Sequence, residues 1–378
     1  MNLAHIVLIP KKNKPEHMSE YCPISLANVV SRMVSKVIAN RLKTILPNVI
    51  FDAQSAFVLN RLITDTTTVA FEMLHQMRNR RKEKIGHMVV KLDISKAYDR
   101  VEWSFLRQIM LKIGPPVQRV DMAMETVQTA TYLVLINGEP QGHITLTHKI
   151  KQSDPLSPYL FLLCAKGLSF MLRKATEKSD LHGITSCQGG VQISHLLFAY
   201  DSLIFYEATP GECHRLLDIL AKYEAASRQA INHQKTSFFF SRNTRPEVKE
   251  EIRGLMGTQI MNGCKKYLGL PMVGGKSKIS TFKELQEKAT KRVMGWKEKH
   301  ISKVGREVLI KTVAQAIPTY SMSLFKILKL VYDGINSALS IGGAKLGMRR
   351  KYFGLIGEGN ARRKGREEWG FRTYTPLT

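Results

Sequence analysis

The sequence predicts an α+β fold, and three observations support that prediction. A short apolar run from Met88 to Leu92, which ends at Asp93, has the β-branched content of a buried strand. Two apolar runs that meet at residues 199–201, with Asp201 at the junction, have the pattern of a β-hairpin. Several longer segments carry apolar residues at helical spacing, so helices and antiparallel strands should occur in one domain.

Residues 1–85 contain one predicted strand and two predicted helices. Residues 5–10 have a strand pattern, and lysines follow them. A helix is predicted from Val29 to Leu46, where Pro47 should end it, and a second helix covers residues 68–77. Residues 78–84 form a basic run, which is either a solvated loop or a contact with the backbone of a nucleic acid.

Asp93 stands where its predicted strand ends. A helix is predicted directly after it, because Ala97, Val101 and Phe105 fall on one face at spacings of four. A carboxylate at a strand terminus can face a cleft and hold a metal ion. It can equally cap the following helix, and the residues alone leave both interpretations open.

The later elements are predicted from turn and capping residues. Asn137-Gly138 predicts the turn of a hairpin within residues 132–144. The capping box Thr209-Pro-Gly-Glu212 predicts a helix that runs to about Arg228. After residue 276, apolar stripes with lysines on the opposite faces predict further helices.

Net charge is the strongest global signal. The 378 residues include 57 Lys and Arg against 31 Asp and Glu, which gives a formal charge of +26. Such an excess attracts polyanions, of which nucleic acids are the commonest. The alternative is a basic soluble protein without such a ligand.

Composition also bounds the class of protein. A hydrophobic content of 44% indicates a globular chain, and no apolar run is long enough to span a membrane. No secretory signal follows Met1. The five cysteines are dispersed without metal-ligand spacing, so reduced thiols and an intracellular location are expected.

The segments around the two acids resemble the reverse transcriptases of LINE-type (non-LTR) retrotransposons, particularly those of plants. Residues 91–101 resemble the family box Lys-Leu-Asp-x-x-Lys-Ala-Tyr-Asp-Arg-Val, and residues 198–201 resemble Phe-Ala-Asp-Asp. Five further segments resemble family boxes and occur in the family's order: residues 21–26, 54–61, 151–158, 230–236 and 266–272. The resemblance spans roughly residues 6–330.

The resemblance implies a right-hand polymerase fold with fingers, a palm built on an antiparallel sheet, and a helical thumb. Fingers are expected at residues 1–85, the palm with finger insertions at 86–275, and the thumb at 276–330. Residues 331–378 form a tail without an assigned fold. Its glycines and basic residues lack any period, which suggests a shifted reading frame.

The resemblance also implies a two-metal site. Asp93 and the residue at position 200 would hold two Mg²⁺ ions with support from Asp201, and Lys235 would protonate the leaving pyrophosphate. Tyr200 stands where the family has its first Asp. A neutral phenol with an ordinary pKa near 10 is a poor substitute for a bridging carboxylate, so impaired catalysis is predicted.

Further site residues follow from the same boxes. Nucleotide binding would involve Lys11, Tyr98 and Gln152, with the Tyr98 ring under the sugar. Template and primer would contact Arg61, Ser157, Pro158, Tyr267, Leu268 and Gly269. Besides Tyr200, the boxes depart from the family at Cys22, which replaces an Arg that would bind the triphosphate, and at Ser153, which replaces a Gly. Leu59-Asn60 replace Pro-Gly, and Asn tolerates the left-handed conformation that Gly allows.

The function implied is that of a LINE-type reverse transcriptase domain, with an RNA template, a DNA primer and dNTPs as partners and no membrane. Two alternatives remain open. One is a catalytically silent protein that binds nucleic acid in the same basic cleft. The other is a retroelement relic without a selected function. Family resemblance alone would allow action in the nucleus.

Overall fold

The computed structural model describes residues 2–79, 84–185, 189–233, 235–257, 266–271 and 278–294, together with residues 302, 305, 308, 309, 312, 313, 316–325 and 337. The chain divides into two compact units, Met1–Cys264 and Lys265–Thr378. The boundaries between fingers, palm and thumb remain predictions. Apart from residue 337, the predicted tail lies outside the described residues, as do residues 80–83 of the basic run.

Strands and helices alternate irregularly along the first unit. Its elements are β1 (Leu3–Pro10), β2 (Tyr21–Ala27), α1 (Val29–Val49), α2 (Ile63–Asn79), β3 (His87–Ser95), α3 (Trp103–Ile113), α4 (Val117–Gln128), β4 (Thr131–Ile136), β5 (Glu139–Thr145), α5 (Ser157–Glu177), β6 (Ile184–Thr185), β7 (Gln192–Ile193), β8 (His195–Phe198), β9 (Asp201–Glu207), α6 (Pro210–Ser227), β10 (Ala230–Ile231), β11 (Ser237–Phe240) and α7 (Pro246–Met256).

The main sheet is antiparallel and has β3 at its centre. Strand β9 pairs with one side of β3 and β8 lies outside β9, while β10 and β11 pair with the other side. Met88, Val90 and Leu92 point into a core formed with helices α5, α6 and α7. Because side chains alternate along a strand, Lys91 and Asp93 lie on the opposite face. Helices packed on one face of an antiparallel sheet confirm the predicted α+β class.

A second sheet has the strand order β2-β1-β4-β5. Strand β1 runs antiparallel to β2 and parallel to β4. The β4–β5 hairpin turns at Asn137 and Gly138, whose φ angles are 53° and 90°, as the Asn-Gly pair predicted. The strand predicted at residues 5–10 is therefore part of a sheet separate from the one that holds Asp93.

Helix α1 continues past the residue predicted to end it. It runs through Pro47 to Val49, and the Ile50 N–H donates to the Leu46 carbonyl at 2.8 Å. Proline removes one backbone donor. In the last turn of a helix that loss affects a single hydrogen bond, so the pattern Val29–Leu46 was right and the stop at Pro47 was wrong.

The helix predicted directly after Asp93 is also wrong. Strand β3 extends to Ser95, the next residues form turns, and α3 begins at Trp103. The carbonyl of Ala97 accepts a hydrogen bond from the Gln229 side chain at 3.0 Å, and that of Tyr98 accepts one from the backbone of residue 150. These tertiary bonds use carbonyls that a helix would need. Asp93 lies inside a strand and therefore caps no helix.

Helix α6 begins where the predicted capping box placed it, but only half of the box forms, because the Thr209 N–H donates to the Glu207 carbonyl and not to Glu212. The Thr209 side chain accepts a hydrogen bond from the Glu212 N–H at 3.3 Å, and the helix ends at Arg228, whose φ is 56°. Among the described residues, no helix is long and apolar enough to cross a membrane. Three of the cysteines, Cys22, Cys164 and Cys213, are free thiols.

The second unit contains β12 (Lys266–Tyr267), β13 (Leu270–Pro271), α8 (Lys278–Met294) and α9 (Ala316–Leu324). The β12–β13 hairpin turns at Leu268 and Gly269, with φ angles of 47° and 78°. The ring of Phe282 in α8 packs edge-on against Phe325, with the centroids 5.7 Å apart. In the second apolar stripe predicted for the thumb, which comprises Val304, Val308, Ile310, Val313 and Ile317, two residues, Val304 and Ile310, lie outside the described residues.

Candidate active site

The two acids that the sequence singled out are neighbours. Asp93 and Asp201 are directly paired across the antiparallel strands β3 and β9. Residues paired in this way project from the same face of the sheet, with Cβ atoms about 4.5–5.5 Å apart. The structure therefore places two carboxylates side by side on the face opposite the helices.

The charges around these acids are only partly balanced. Burial raises the pKa of Asp201, and Asp93 adds to the rise while Lys91 opposes it. Lys91 lies on the same face, two residues before Asp93. Because two close carboxylates repel each other, this end of the sheet favours a proton or a cation between them.

Lys235 is held beside Asp93 by the backbone. Its Nζ lies 3.9 Å from an Asp93 carboxylate oxygen, although the side chain is 71% exposed. Strand β10 pairs with the end of β3, and the Asn232 N–H donates to the Asp93 carbonyl at 2.8 Å. The N–H groups of Lys235 and Thr236 both donate to the Asn232 carbonyl. The resulting turn fixes the start of the lysine side chain next to the acids.

Tyr200 occupies the two-residue turn between β8 and β9, beside Ala199. It is 44% exposed. Burial raises the pKa of Tyr200, and the nearby Asp201 and Asp93 raise it further. The phenol is therefore protonated and neutral near pH 7, and it cannot supply the anionic oxygens of a carboxylate at this position.

Tyr98 lies near Tyr200. Its ring stacks on Phe161, with centroids 5.5 Å apart and an interplanar angle of 23°. Burial raises the pKa of Tyr98 to about 12, with a further contribution from Tyr200. The ring therefore packs as a core aromatic would, and the role predicted for it under a nucleotide sugar remains a proposal.

Gln152 belongs to the same region through Asp99. Its side-chain amide donates to both Asp99 carboxylate oxygens at 3.2 Å, and Lys149 forms an ion pair with that carboxylate at 2.9 Å. Ser153, which replaces the family's glycine, has a φ of 70°. A left-handed backbone at this position explains why glycine is favoured there.

Ser157 and Pro158 lie in the first turn of helix α5, where Ser157 is buried. Asp154 holds this turn in place. Its carboxylate accepts hydrogen bonds from the Leu156 N–H and the Ser35 hydroxyl, each at 2.9 Å. The helix start is thus rigidly placed, while template contact by Ser157 and Pro158 remains a proposal.

A cavity of about 360 Å³ opens just beyond the end of β3. Asp99 and four basic residues line it: Lys96, Arg100, His148 and Arg228. Arg228 pairs with Glu102 at 3.0 Å, and Asp99 is already paired with Lys149. The sequence assigned no role to Lys96, Arg100, His148 or Arg228. Lys96 and Arg100 lie inside the box at residues 91–101, so the sequence could have indicated their role. His148 and Arg228 come from distant segments, and no sequence pattern links them to this cavity.

Other predicted site residues lie on other elements, where they have their own partners. Lys11 follows β1 in the second sheet, and its Nζ donates to the Ser19 carbonyl at 2.9 Å. Cys22 lies on the adjacent strand, opposite Ile9. The two positions predicted to bind a triphosphate are thus at one end of the β1–β2 pair.

The guanidinium of Arg61 is occupied within the chain. It donates to the carbonyls of Phe51 and Gln54, each at 2.7 Å, and forms an ion pair with Asp52 at 3.0 Å. The predicted primer-contact residues Tyr267, Leu268 and Gly269 form the β12–β13 turn in the second unit.

A second group with metal-ligand chemistry, not anticipated from the sequence, lies at the opposite end of β9. His182, Glu207 and Glu212 place one ligand atom each within 4.8 Å of the others. The Glu212 carboxylate accepts hydrogen bonds from His182 Nδ1 at 2.7 Å, the His182 N–H at 3.1 Å and the Glu207 N–H at 3.0 Å. These hydrogen bonds explain why a carboxylate is buried at position 212: Glu212 holds the His182 and Glu207 backbone in place.

The antiparallel sheet, with paired acids on one face and helices on the other, is the palm of a right-hand polymerase. The profile of the family described as "Reverse transcriptase (RNA-dependent DNA polymerase)" matches residues 9–272. The chain belongs to the reverse transcriptase family. This result confirms the resemblance that the sequence boxes indicated.

Relatives narrow the branch of the family. An uncharacterised 149 kDa protein of transposon TX1 from Xenopus laevis is 27% identical over 312 residues, which cover 81% of this chain and 23% of that protein. The Pol polyprotein of a type-1 retrotransposable element R2 from Popillia japonica is 26% identical and covers 52% of this chain and 26% of its own length. The chain therefore spans about a quarter of these relatives, and it is a reverse transcriptase domain of the non-LTR type.

A solved structure agrees with the fold. Telomerase from Candida albicans, in complex with a fragment of telomeric RNA, matches 93% of this chain and 55% of its own length with a TM-score of 0.50. At 10% sequence identity the likeness concerns the fold alone. It supports the right-hand polymerase architecture.

Proposed function

We propose that this domain carries the machinery for RNA-directed DNA synthesis and that Tyr200 impairs its chemical step. The observation behind the proposal is the direct pairing of Asp93 with Asp201, with the Lys235 Nζ 3.9 Å from Asp93. Two carboxylates and an ammonium on one face are the groups that nucleotidyl transfer requires.

The residues present fit one divalent ion better than two. Asp93 and Asp201 offer oxygen ligands from the same face, which suits Mg²⁺. The two-ion arrangement of the family would need a further carboxylate at position 200, where the phenol of Tyr200 is neutral. When bound, such ions activate the primer 3′ oxygen and neutralise charge on the leaving group.

The remaining groups would orient the reactants. Lys235 holds a proton next to Asp93 and would deliver it to the departing pyrophosphate. Tyr98 would lie under the sugar, and Gln152 would position the new base pair from its bond with Asp99. The cavity lined by Lys96, Arg100, His148 and Arg228 would accept phosphate groups, because Lys96, Arg100 and Arg228 carry the fixed positive charge that a phosphate needs.

Nucleic acid is the proposed macromolecular partner, as an RNA template with a DNA primer. The support is the +26 charge and a basic cavity beside the acids. We expect binding with little sequence preference and an affinity that falls steeply with salt, by about 0.7 to 0.9 in log K per neutralised phosphate for each unit of log salt. Fluorescence anisotropy with a labelled primer–template measures this affinity. An affinity that does not change with salt concentration would contradict binding to basic residues.

Primer extension tests the catalytic proposal. The chain should extend a primer barely or not at all, and Tyr200→Asp should raise the rate at least ~100-fold, equivalent to about 2.7 kcal/mol in the barrier. Asp93→Asn in the Tyr200→Asp chain should abolish the gain. Equal rates for the original and the Tyr200→Asp chain would show that position 200 does not limit the chemistry.

The triphosphate position offers a separate check. Cys22→Arg, introduced into the Tyr200→Asp chain, should lower the KM for dNTP about tenfold, because an arginine adds a fixed charge and a bidentate donor. A change in kcat alone would place residue 22 away from the triphosphate.

A second candidate function is nucleic-acid binding without catalysis, which the neutral Tyr200 favours. In that case the original chain binds primer–template tightly and does not extend it. A chain that neither binds nor unfolds cooperatively would instead be a relic without function.

A further inference from the structure

Gln54 contacts the turn that carries residues 200 and 201, although it lies 145 positions away along the chain. Its side chain is buried, with 2% exposure. The Ala199 N–H donates to Gln54 Oε1 at 3.0 Å, and Gln54 Nε2 donates to the Ala199 carbonyl at 3.5 Å. One side-chain amide therefore bonds both backbone groups of Ala199.

The backbone around Gln54 also follows the edge strand β8. The Leu197 N–H donates to the Ala53 carbonyl at 2.7 Å, and the Ser55 N–H donates to the Leu197 carbonyl at 3.2 Å. Gln54 and Leu197 form a parallel bridge. The segment thus binds the strand that enters the turn as well as the turn itself.

Ala199 needs such support because of its conformation. Its φ is 54°, whereas Tyr200 has no positive φ. A hairpin turn with a positive φ at its first central residue prefers glycine there, since a Cβ is strained in this region. A strained residue persists only where its surroundings determine its conformation.

Arg61 fixes the Gln54 segment from its other side. Its guanidinium donates to the carbonyls of Ile50, Phe51 and Gln54 at distances of 3.1, 2.7 and 2.7 Å. The chain of contacts runs from Arg61 through Gln54 to Ala199, and Asp201 follows two residues later.

We infer that Gln54 is a positioning residue for the catalytic hairpin and that Arg61 acts through it. Gln54 holds Ala199 in its left-handed conformation and so sets where residue 200 and Asp201 stand relative to Asp93. Arg61, which the sequence suggested as a template or primer contact, orients the Gln54 segment instead. The effect on catalysis rests on the proposed function, whereas the effect on the turn does not.

The contrasting explanation is that Gln54 only stabilises the core. Glu212 provides a matched control, because it is also buried and also accepts a hydrogen bond from the backbone of this sheet, from the Glu207 N–H at 3.0 Å. That contact is at the far end of β9, about 20 Å from Asp201 for a strand of this length. Replacing Gln54 or Glu212 removes a buried hydrogen-bonding side chain in either case, but only Gln54 contacts the turn that carries residues 200 and 201.

Amide hydrogen exchange tests the positioning role in the chain as it stands. Gln54→Met keeps the side-chain size and removes both hydrogen bonds to Ala199, together with the one that Gln54 Oε1 accepts from the Ala56 N–H at 3.0 Å. It should accelerate exchange of the Ala199 amide at least ~10-fold and leave the Glu207 amide within a factor of about two. Glu212→Ala should do the reverse. Unchanged exchange at Ala199, or equal acceleration at both amides, would overturn the inference.

Arg61→Lys adds a second variant should Gln54→Met fail to fold. It leaves Gln54 in place but lacks the planar fork that reaches several carbonyls at once. The Ala199 amide should again exchange faster, by a smaller factor than with Gln54→Met. If the Ala199 amide exchanges as slowly as in the original chain, Arg61 does not influence the hairpin.

The catalytic consequence is measured in the Tyr200→Asp chain. Gln54→Met should lower kcat about 10- to 100-fold while the KM for dNTP changes less than about twofold, because it displaces a metal ligand rather than a nucleotide contact. Ala199→Gly should recover part of the loss, since glycine adopts the left-handed conformation without support. An unchanged kcat in the Gln54→Met variant would contradict the inference. Absence of extension by the Tyr200→Asp chain itself would count against the proposed function, and hydrogen exchange would still decide the role of Gln54.

Discussion

The two ends of the β3–β9 ladder use acidic residues in opposite ways. At the far end, the Glu212 carboxylate accepts bonds from two backbone N–H groups and from the His182 ring. At the near end, the Asp201 carboxylate has no hydrogen-bond partner among the described residues and stands opposite Asp93. One end uses its charge to anchor the fold, and the other leaves its charge available to a ligand.

Left-handed residues near the two ends occur in different settings. Lys96, Ser153 and Ala199 have φ angles of 48°, 70° and 54°, adjoin the site, and none of them ends a helix. Near the far end, Ser179 has a φ of 57°, just after helix α5 ends, where a left-handed residue is ordinary. Phe57, Asn60 and Asn137 also have positive φ angles without ending a helix, so the backbone alone does not mark the site; Ala199 is singled out because it lies in the turn before Asp201.

The largest expected effect on stability separates the two kinds of acid. Glu212→Ala should lower the free energy of unfolding by about 2–3 kcal/mol, because it leaves two backbone N–H groups without their acceptor. Asp201→Asn should leave stability unchanged or raise it, because it removes repulsion from Asp93. Urea denaturation at pH 7 measures both. Equal losses in the two variants would contradict the division between the ends.

Relieving strain at the near end should give a smaller gain. Ser153→Gly should stabilise the chain by about 0.5–1 kcal/mol, since glycine adopts a positive φ without a steric cost. Ser104→Gly in helix α3 is the control and should lose a similar amount, because helices disfavour glycine. Thermal unfolding distinguishes them, and a loss with Ser153→Gly would show that the serine side chain makes an essential contact.

The smallest expected effect is on pH dependence. The hydrogen bond to Glu212 raises the pKa of His182, and Glu207 contributes as well. Because the folded-state pKa lies above the unfolded value of about 6.5, protonated His182 stabilises the fold below that pH. This contribution is lost as pH rises through the folded-state pKa. His182→Asn should remove this contribution. The melting temperature should then change less with pH above about pH 6.5 than it does in the original chain.

Asp201 should affect stability in a more acidic window. Its pKa is raised in the fold, mainly by burial, so the folded state holds a proton more tightly than the unfolded chain. Stability linked to this proton is present at low pH and declines as pH rises from the unfolded value near 3.9 through the folded-state pKa. Asp201→Asn should reduce that decline. If the free energy of unfolding at acidic pH changes with pH in the same way in the variant and in the original chain, the Asp201 carboxylate is not destabilised by the fold.

Local signals predicted much of the fold. The Asn137-Gly138 turn, the helix start capped by Thr209 and the hairpin that joins β8 to β9 each depend on a few neighbouring residues, and the structure contains all three. The turn after β3 could not be predicted, because hydrogen bonds from Gln229 and residue 150 override the helical pattern there.

The site was predictable where family boxes held its residues together. Asp93, Asp201 and Lys235 were predicted in this way; the structure brings them to one place, and their catalytic role remains a proposal. The basic cavity and the Gln54 contact were not found, because they join segments far apart in the sequence. No periodicity links His148 to Arg228 or Gln54 to Ala199, and only tertiary packing does so.

Metal affinity tests the central claim most directly. Mn²⁺, a spectroscopic substitute for Mg²⁺, can be titrated into the original chain, the Tyr200→Asp chain and the Tyr200→Asp, Asp93→Asn chain, with free Mn²⁺ followed by electron paramagnetic resonance. The Tyr200→Asp chain should bind Mn²⁺ at least ~10-fold more tightly than the original, equivalent to about 1.4 kcal/mol, and Asp93→Asn should remove that gain. Equal dissociation constants for the original and Tyr200→Asp chains would contradict the account of an active site that lacks one acid.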